Sequence, residues 1–148
     1  MGERRTVLYV ISRVDYALGF DWLDQFLDRT KYDPVFVFLH STRPHLADVL
    51  ESRGTKVECL NLESKKDYPL LFLKLILLFR KYRPSIVHAH LLDANLLAIP
   101  AAFVCCVKKR IYTRHHSTYH FDYHPHMVKY DKLVNRLSTQ IVSISLNV

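Results

Sequence analysis

Glycine is scarce in this sequence, and the glycine-rich motifs that bind phosphates are missing. The chain has 3 glycines in 148 residues. The segment after the first apolar run, Ser12 to Gly19, contains neither G-x-G-x-x-G nor G-x-x-x-x-G-K-[ST]. The sequence therefore lacks a dinucleotide fingerprint and a P-loop, and Gly19 alone is a weak signal for phosphate binding. A Ser-His-Asp or Cys-His nucleophile pattern is not evident either.

Cysteine is also rare, which excludes a disulfide-stapled fold. The 3 cysteines are Cys59, Cys105 and Cys106, and none belongs to a C-x-x-C pair. Cys105 and Cys106 fall in an apolar predicted helix, where free cysteines pack as small hydrophobic residues. This pattern predicts a protein of the reducing cytosol.

Long hydrophobic runs are absent as well. The apolar run behind the charged N-terminus stops at Ser12-Arg13, too soon for a signal-peptide core followed by a cleavage site. The longest apolar stretch, Pro69 to Phe79, contains Lys74 and is much shorter than the ~20 residues that span a bilayer. We therefore expect a cytoplasmic protein that is at most peripheral at the inner face of the membrane.

What the sequence does contain is enough apolar material for one packed domain and an excess of positive charge. The hydrophobic fraction of 49% argues against disorder. The net charge of +7 suits an acidic partner such as a nucleotide phosphate, an anionic lipid or a nucleic acid. A solvated basic surface explains the same charge equally well.

Strand-like and helix-like segments alternate along the whole chain. The apolar, β-rich segments are residues 6–11, 35–39, 56–60, 85–90, 111–113 and 140–145, of which 56–60 alternates polar and apolar residues like an edge strand. Regular alternation with short connections predicts a Rossmann-like, doubly wound parallel sheet in three α/β/α layers, formed by a single domain over residues 1–148.

Two of the predicted helices carry specific expectations about burial. The first begins near Asp15, and its apolar spacing places Trp22 and Phe26 in the core, before Asp33-Pro34 ends it. Another runs from a cap at Asp67 to Tyr82 and is apolar nearly all round. Such a helix is either buried under the sheet or partly immersed in a membrane surface.

Histidines follow the carboxyl ends of two predicted strands. His90 ends the strand at 85–90, and Arg114, His115 and His116 follow the strand at 111–113. Ligands of open α/β sheets bind at this edge. A histidine there can transfer a proton or donate to a sugar hydroxyl or phosphate, and Arg114 can pair with phosphate.

Other features near this edge have more than one interpretation. His88 faces the same side as His90 and is predicted to be a hydrogen-bonded core histidine, whereas His88, His90 and Asp93 together superficially resemble a metal-ligand cluster. Asp93 is also a candidate cap for the helix with an apolar body at 96–107, which the cations at 108–110 close. The aromatic segment that includes Tyr119 suits sugars but is equally compatible with a packed surface loop.

Four of these segments resemble the N-terminal domain of family-4 glycosyltransferases with the GT-B fold. They are Arg83-Pro84-Ser85-Ile86-Val87-His88-Ala89-His90, the pair Ala101-Ala102, Lys109-Arg110-Ile111-Tyr112-Thr113-Arg114-His115, and Ile141-Val142-Ser143-Ile144-Ser145. In that family a run like RPDIVHAH marks the fourth strand, T-x-H the end of the fifth and V-x-x-S the sixth. The resemblance covers nearly the whole chain in order of elements.

The resemblance implies a retaining transfer of a sugar from a nucleotide-sugar donor to a glycan or lipid-linked acceptor, without a metal or other cofactor. His115, the T-x-H histidine, is implied as the catalytic residue. His90, Asp93, Arg114, His116 and Tyr119 are expected to line the acceptor-side cleft. Gly19 is placed near the donor phosphates, although the diglycine usual in the family is missing here.

The sequence shows nothing of the family's donor-binding C-terminal domain. We therefore expect a truncated product, an isolated domain or one half of a split enzyme that needs a C-terminal-half partner chain and is inactive alone. A possible second partner is an anionic membrane surface, and nucleic acid is not expected. The alternatives are a non-catalytic Rossmann-like module that binds a nucleotide or a partner, and a histidine-rich metal-dependent hydrolase.

Overall fold

The computed structural model describes residues 4–114 and 125–144 and shows six parallel strands with helices on both faces. The strands are β1 (Arg5–Ser12), β2 (Tyr32–His40), β3 (Lys56–Asn61), β4 (Ile86–His90), β5 (Lys109–Arg114) and β6 (Gln140–Ser143). The helices are α1 (Leu18–Phe26), α2 (His45–Ser52), α3 (Tyr68–Tyr82), α4 (Leu92–Val104) and α5 (Val128–Leu137). Short 3₁₀ turns precede α3 and α5 at Lys65–Asp67 and Pro125–Met127.

The strand order is β3-β2-β1-β4-β5-β6, with every neighbouring pair parallel. This order confirms the predicted doubly wound Rossmann-like sheet, including the edge position of β3. The chain runs outward from β1 to β3 and then crosses back to β4 on the other side of β1. The order therefore reverses between β1 and β4, which is the topological switch point where ligands of such sheets bind.

The two faces of the sheet bury separate apolar clusters. Val7, Tyr9 and Ile11 of β1 face α1 and α2, whereas Leu8 and Val10 face α3, α4 and α5. Successive residues of a strand point to opposite faces, so a strand covered on both sides must be apolar at every position. This requirement explains the continuous apolar runs of β1 and β2 and confirms the three-layer arrangement.

Helix α1 is oriented differently from the prediction. Trp22 is 53% exposed and Phe26 80% exposed, while Asp21 and Asp24 are buried. The sequence-based placement of Trp22 and Phe26 in the core is therefore wrong. Because a buried carboxylate needs a cationic or hydrogen-bonding partner, the side of α1 that carries the aspartates faces its partners in the protein.

The partners of these aspartates lie around the end of α2. Arg53 Nη1 is 2.5 Å from Asp21 Oδ1, and Arg29 pairs with Asp24. Thr55 donates its hydroxyl to Asp24 at 2.7 Å. Together these bonds set the rotation of α1 about its own axis, and the apolar row of the helix is thereby directed outward.

Asp33 and Pro34 lie inside β2 and do not precede it. Pro34 pairs with Val7 of β1, but β3 joins β2 only from Val35 onward. Pro34 therefore lies where one flank of β2 has no partner strand, and a proline is tolerated there.

Helix α4 begins earlier and ends earlier than predicted. Its N-cap is Leu91, and Asp93 lies inside the first turn and makes no capping bond, so the predicted capping role is wrong. The helix ends at Val104, and Cys106 then adopts a left-handed conformation with φ 56. The predicted closing cations are also misplaced, because Lys109 and Arg110 begin β5.

Helix α3 has the predicted bounds, but only one of its sides is buried. Leu71, Leu75 and Phe79 face the core, whereas Leu70, Leu73 and Leu77 are exposed on the opposite side. Arg83 ends the helix in a left-handed conformation, and its N–H donates to the carbonyl of Phe79 at 2.9 Å. Within residues 4–114 and 125–144, α3 and the other helices are all too short or too polar to cross a bilayer.

Candidate functional site

The carboxyl ends of β1 and β4 meet at the switch point, and the backbone there is strained at two residues. Arg13 follows β1 with φ 55, and Leu91 follows β4 with φ 71. Non-glycine residues seldom adopt positive φ, and such strain concentrates at functional sites. The N–H of Arg13 donates to the carbonyl of Leu39, which fixes the turn against β2.

An ion pair spans the gap between the two strands. Arg13 Nε lies 2.6 Å from Asp93 Oδ2, and the Tyr68 hydroxyl donates to the other carboxylate oxygen. Ser12 accepts a hydrogen bond from the N–H of Ala94 at 3.2 Å, which ties the end of β1 to the first turn of α4. The positive end of the α4 dipole favours the Asp93 carboxylate in this position.

The geometry makes Asp93 an anchor and leaves Arg13 available to a ligand. The Asp93 side chain is 9% exposed, whereas that of Arg13 is 51% exposed. In the part of the chain that the structure describes, the Arg13 guanidinium is hydrogen-bonded through Nε, so Nη1 and Nη2 can form the two parallel bonds that suit a phosphate or carboxylate. Burial and the Asp93 carboxylate raise the pKa of Tyr68, so Tyr68 remains a hydrogen-bond donor.

Beside this ion pair, two imidazoles of β4 lie on the α1 side of the sheet. The ring centroids of His88 and His90 are 4.0 Å apart. His88 Nε2 lies 2.8 Å from the Thr113 hydroxyl of β5, which confirms the predicted hydrogen bond of this histidine, although its side chain is only partly buried. Burial lowers the pKa of His88 to about 4, so its ring is neutral at pH 7.

His90 lies at the rim but is covered. It is the last residue of β4, it pairs in register with Thr113, and it is 8% exposed. The Phe20 ring of α1 meets it edge-on, with centroids 4.8 Å apart. Phe20 of α1 therefore covers one side of the His90 imidazole.

The remaining predicted site residues are spread along the same edge. Arg114 is partly exposed at the end of β5, one residue past Thr113. Gly19 is the second residue of α1, and a Cβ built there would meet nothing within 4 Å, so space is open around it. His115, His116 and Tyr119 lie outside the described residues.

A metal site would need several ligands close together. Residues 4–114 and 125–144 contain no group of three or more His, Cys, Asp or Glu side chains that could hold a metal ion. In the same ranges His88 and Asp93 are engaged with Thr113 and with Arg13 and Tyr68 respectively.

Sequence reasoning did not identify Arg13 and Tyr68. The rule that selected His90 and His115, a polar residue at the carboxyl end of a strand, also selects Ser12 and Arg13 when it is applied to β1. The sequence offers no comparable signal for Tyr68, because its partner Asp93 is 25 residues away. Tyr68 begins an apolar helix, and only the packing of α3 against α4 brings its hydroxyl to the site.

Several solved structures share this fold. They include UDP-GlcNAc 2-epimerase from Neisseria meningitidis bound to UDP-GlcNAc, with 16% identity and a TM-score of 0.72 over 93% of this chain and 39% of the epimerase. MurG from Acinetobacter baumannii matches with 5% identity and a TM-score of 0.66 over 97% of this chain and 42% of MurG. Anabaena Alr3699/HepE in complex with UDP matches with 16% identity and a TM-score of 0.66 over 92% of this chain and 36% of HepE.

These likenesses define the class of protein: an N-terminal domain of the GT-B fold. The chain spans between 36% and 42% of the length of the three proteins named. The family model for glycosyl transferase 4-like proteins matches residues 7–145, so this chain belongs to the glycosyl transferase 4-like family. A search of curated protein sequences finds no match.

Proposed function

We propose that this chain is the acceptor-side domain of a retaining glycosyltransferase that moves a sugar from a nucleotide-sugar donor to a glycan or lipid-linked acceptor. Family membership and the nucleotide ligands named for the Neisseria and Anabaena structures support the donor class. The observation that carries the proposal is the Arg13–Asp93 pair, which holds a half-exposed guanidinium at the switch point of the sheet.

In this proposal each residue of the edge has a separate task. Arg13 binds an anionic group of the donor or acceptor, while Asp93 and Tyr68 hold its guanidinium in place. His115 assists the reacting centre, and His90, Arg114, His116 and Tyr119 line the acceptor side. Gly19, with open space around it, allows a phosphate to approach the first turn of α1. We propose that no metal or other cofactor takes part.

Nucleotide binding by the isolated chain tests the role of Arg13. We expect weak binding of UDP or UDP-GlcNAc in an NMR titration, and we expect Arg13→Gln to weaken it at least tenfold, because a bidentate charged contact is lost. Arg43→Gln is the matched control, since Arg43 is similarly exposed and is already paired with Asp48 and Glu51. Equal weakening by the two variants would show that only the net charge matters and would contradict a site at the switch point.

Full turnover is proposed to need a C-terminal-half partner chain. The support is the limited coverage of the longer proteins with the same fold. The test is sugar transfer by this chain after addition of a partner that carries a donor-binding half, with His115→Ala as the inactive control. If a partner binds but transfer is not observed with any nucleotide sugar, the non-catalytic alternative is favoured.

The outer side of α3 supports the proposal of an anionic membrane as the acceptor surface. Leu70, Leu73 and Leu77 are exposed there, with Lys74 on the same side of the helix, and α3 contains no acidic residue. A surface that combines leucines with cations binds anionic bilayers through apolar insertion and charge attraction. We propose that the protein is cytoplasmic and peripheral at the inner face of the membrane, and binding to anionic vesicles tests this.

A further inference from the structure

The outward side of α1 is an apolar surface that the proposed function does not use. Leu18, Trp22 and Phe26 are spaced four residues apart and are 49%, 53% and 80% exposed. We name this row, residues 18, 22 and 26, the α1 ridge. Its exposed area is on the order of 400 Å², the size of the largest apolar patch on a typical monomer, and such patches are often functional.

The outward orientation of the ridge is built into the fold. Asp21 and Asp24 occupy the inner side of the helix, where Arg53, Arg29 and Thr55 bind them. Turning the ridge inward would break these bonds. The two carboxylates would then either be exposed to solvent or remain buried without partners. The apolar residues of the helix therefore stay exposed to water, which is unfavourable. A partner that binds the ridge would bury this area.

The α1 ridge carries no charge, whereas the outer side of α3 does, so the two surfaces suit different partners. Helix α1 contains no lysine or arginine, and its two aspartates face inward. The outer side of α3 combines leucines with Lys74 and lies on the opposite face of the sheet, so one membrane surface cannot cover both. An uncharged patch on a chain of net charge +7 is where two identical chains can approach with the least repulsion.

We propose that the α1 ridge is a self-association surface at which a second copy of this chain packs. Residues spaced by four form the ridges that interlock in the commonest class of helix packing. Leu18 and Phe26 lie at equal separations on either side of Trp22, so a two-fold axis through Trp22 places each Leu18 against Phe26 of the other copy. The two patches together would bury about 800 Å², which is at the low end of the range for a weak, reversible interface.

The mass of the full chain in solution tests this proposal. We expect sedimentation equilibrium to show a dimer at roughly 100 μM and a monomer after dilution, as suits an interface of this size. Trp22 is the chain's single tryptophan, so its emission should shift to longer wavelength as the protein is diluted. A monomer at all concentrations, or an emission maximum that does not change with dilution, overturns the proposal, and a bilayer or another protein would then cover the ridge.

Charge substitutions test the two-fold geometry. Leu18→Lys and Phe26→Glu should each give a monomer, and mixing the two variants should restore a dimer because the introduced lysine and glutamate then face each other. Leu73→Glu, at a similarly exposed leucine of α3, is the control and should leave the mass unchanged. Circular dichroism confirms that each variant is folded. If both α1 variants still form a dimer, the α1 ridge is not the dimer surface. If mixing the two variants does not restore a dimer, the two helices do not pair in the antiparallel arrangement.

Discussion

At the scale of single residues, burial decides which groups of the switch-point edge can ionise. His88 is neutral at pH 7 because its surroundings lower its pKa to about 4, and Tyr68 remains protonated because burial and Asp93 raise its pKa. Both side chains therefore act as neutral hydrogen-bonding groups. Among the described residues, the charged side chains that a ligand can meet at this edge include Arg13, held by the Asp93 carboxylate, and the partly exposed Arg114.

The low pKa of His88 makes the stability of the fold dependent on pH. An unfolded histidine has a pKa near 6.5, so between pH 6.5 and about 4 the unfolded chain binds the proton that the folded chain excludes. Stability should therefore be fully present above pH 6.5 and fall as the pH drops toward 4. The loss attributable to His88 is on the order of 3 kcal/mol.

Urea unfolding at several pH values measures this contribution. His88→Asn keeps a hydrogen-bonding side chain next to Thr113 but cannot titrate, so we expect the variant to show a shallower fall in the free energy of unfolding between pH 6.5 and 4.5. His45→Asn removes an exposed imidazole and is the control. A slope for the His88 variant equal to that of the wild type would show that His88 titrates normally in the folded state.

At the scale of elements, α1 shows why a helical pattern alone does not establish which face is buried. The spacing of its apolar residues correctly predicts a helix. The same spacing wrongly predicts that Trp22 and Phe26 are inside, because Asp21 and Asp24 lie on the other face and their partners, Arg53 and Thr55, come about thirty residues later in the chain. Paired carboxylates thereby override the hydrophobic pattern.

Removal of one carboxylate tests how much this pairing stabilises α1. We expect Asp24→Asn to lower the free energy of unfolding by about 2 kcal/mol, because a charged hydrogen-bonded partner is lost while Arg29 and Arg53 can turn toward solvent. Asp48→Asn is the control, since Asp48 pairs with Arg43 at an exposed site, and we expect a change within about 0.5 kcal/mol. Thermal or urea unfolding of both variants gives the comparison, and equal effects would show that the α1 network is no stronger than a surface ion pair.

At the scale of the whole molecule, the two faces of the sheet present different surfaces. The α1 side shows an uncharged apolar row, and the α3 side combines leucines with Lys74 and the exposed cation Arg80. A dimer through one face leaves the other free for a membrane. The edge of the sheet, which carries the half-exposed Arg13, lies between the two faces.

Binding to vesicles tests the α3 surface. We expect the protein to sediment with vesicles that contain phosphatidylserine but not with phosphatidylcholine alone, and we expect binding to weaken as salt screens the charges. Lys74→Glu should reduce binding at least about fivefold, since each cation near the surface contributes about 1 kcal/mol. Lys31→Glu, which changes the charge equally but lies in the turn before β2, is the control. Equal losses in both variants would contradict a specific α3 surface.

The sequence by itself determined the six strands, their parallel, doubly wound arrangement and the edge at which polar residues collect. These properties follow from local periodicity and from the residues that end helices and strands, so they can be predicted along the chain. His88 as a hydrogen-bonded core residue was predicted for the same reason, because strand alternation places it on an inner face.

Only the tertiary structure decided the rotation of α1, the partners of Asp93 and the selection of Arg13 as the exposed cation of the switch point. Each depends on charged or hydroxyl groups that lie far apart in sequence and meet only after the sheet has formed. Hydrophobic burial is non-directional and leaves such choices open, whereas an ion pair or hydrogen bond needs its particular partner within about 3 Å.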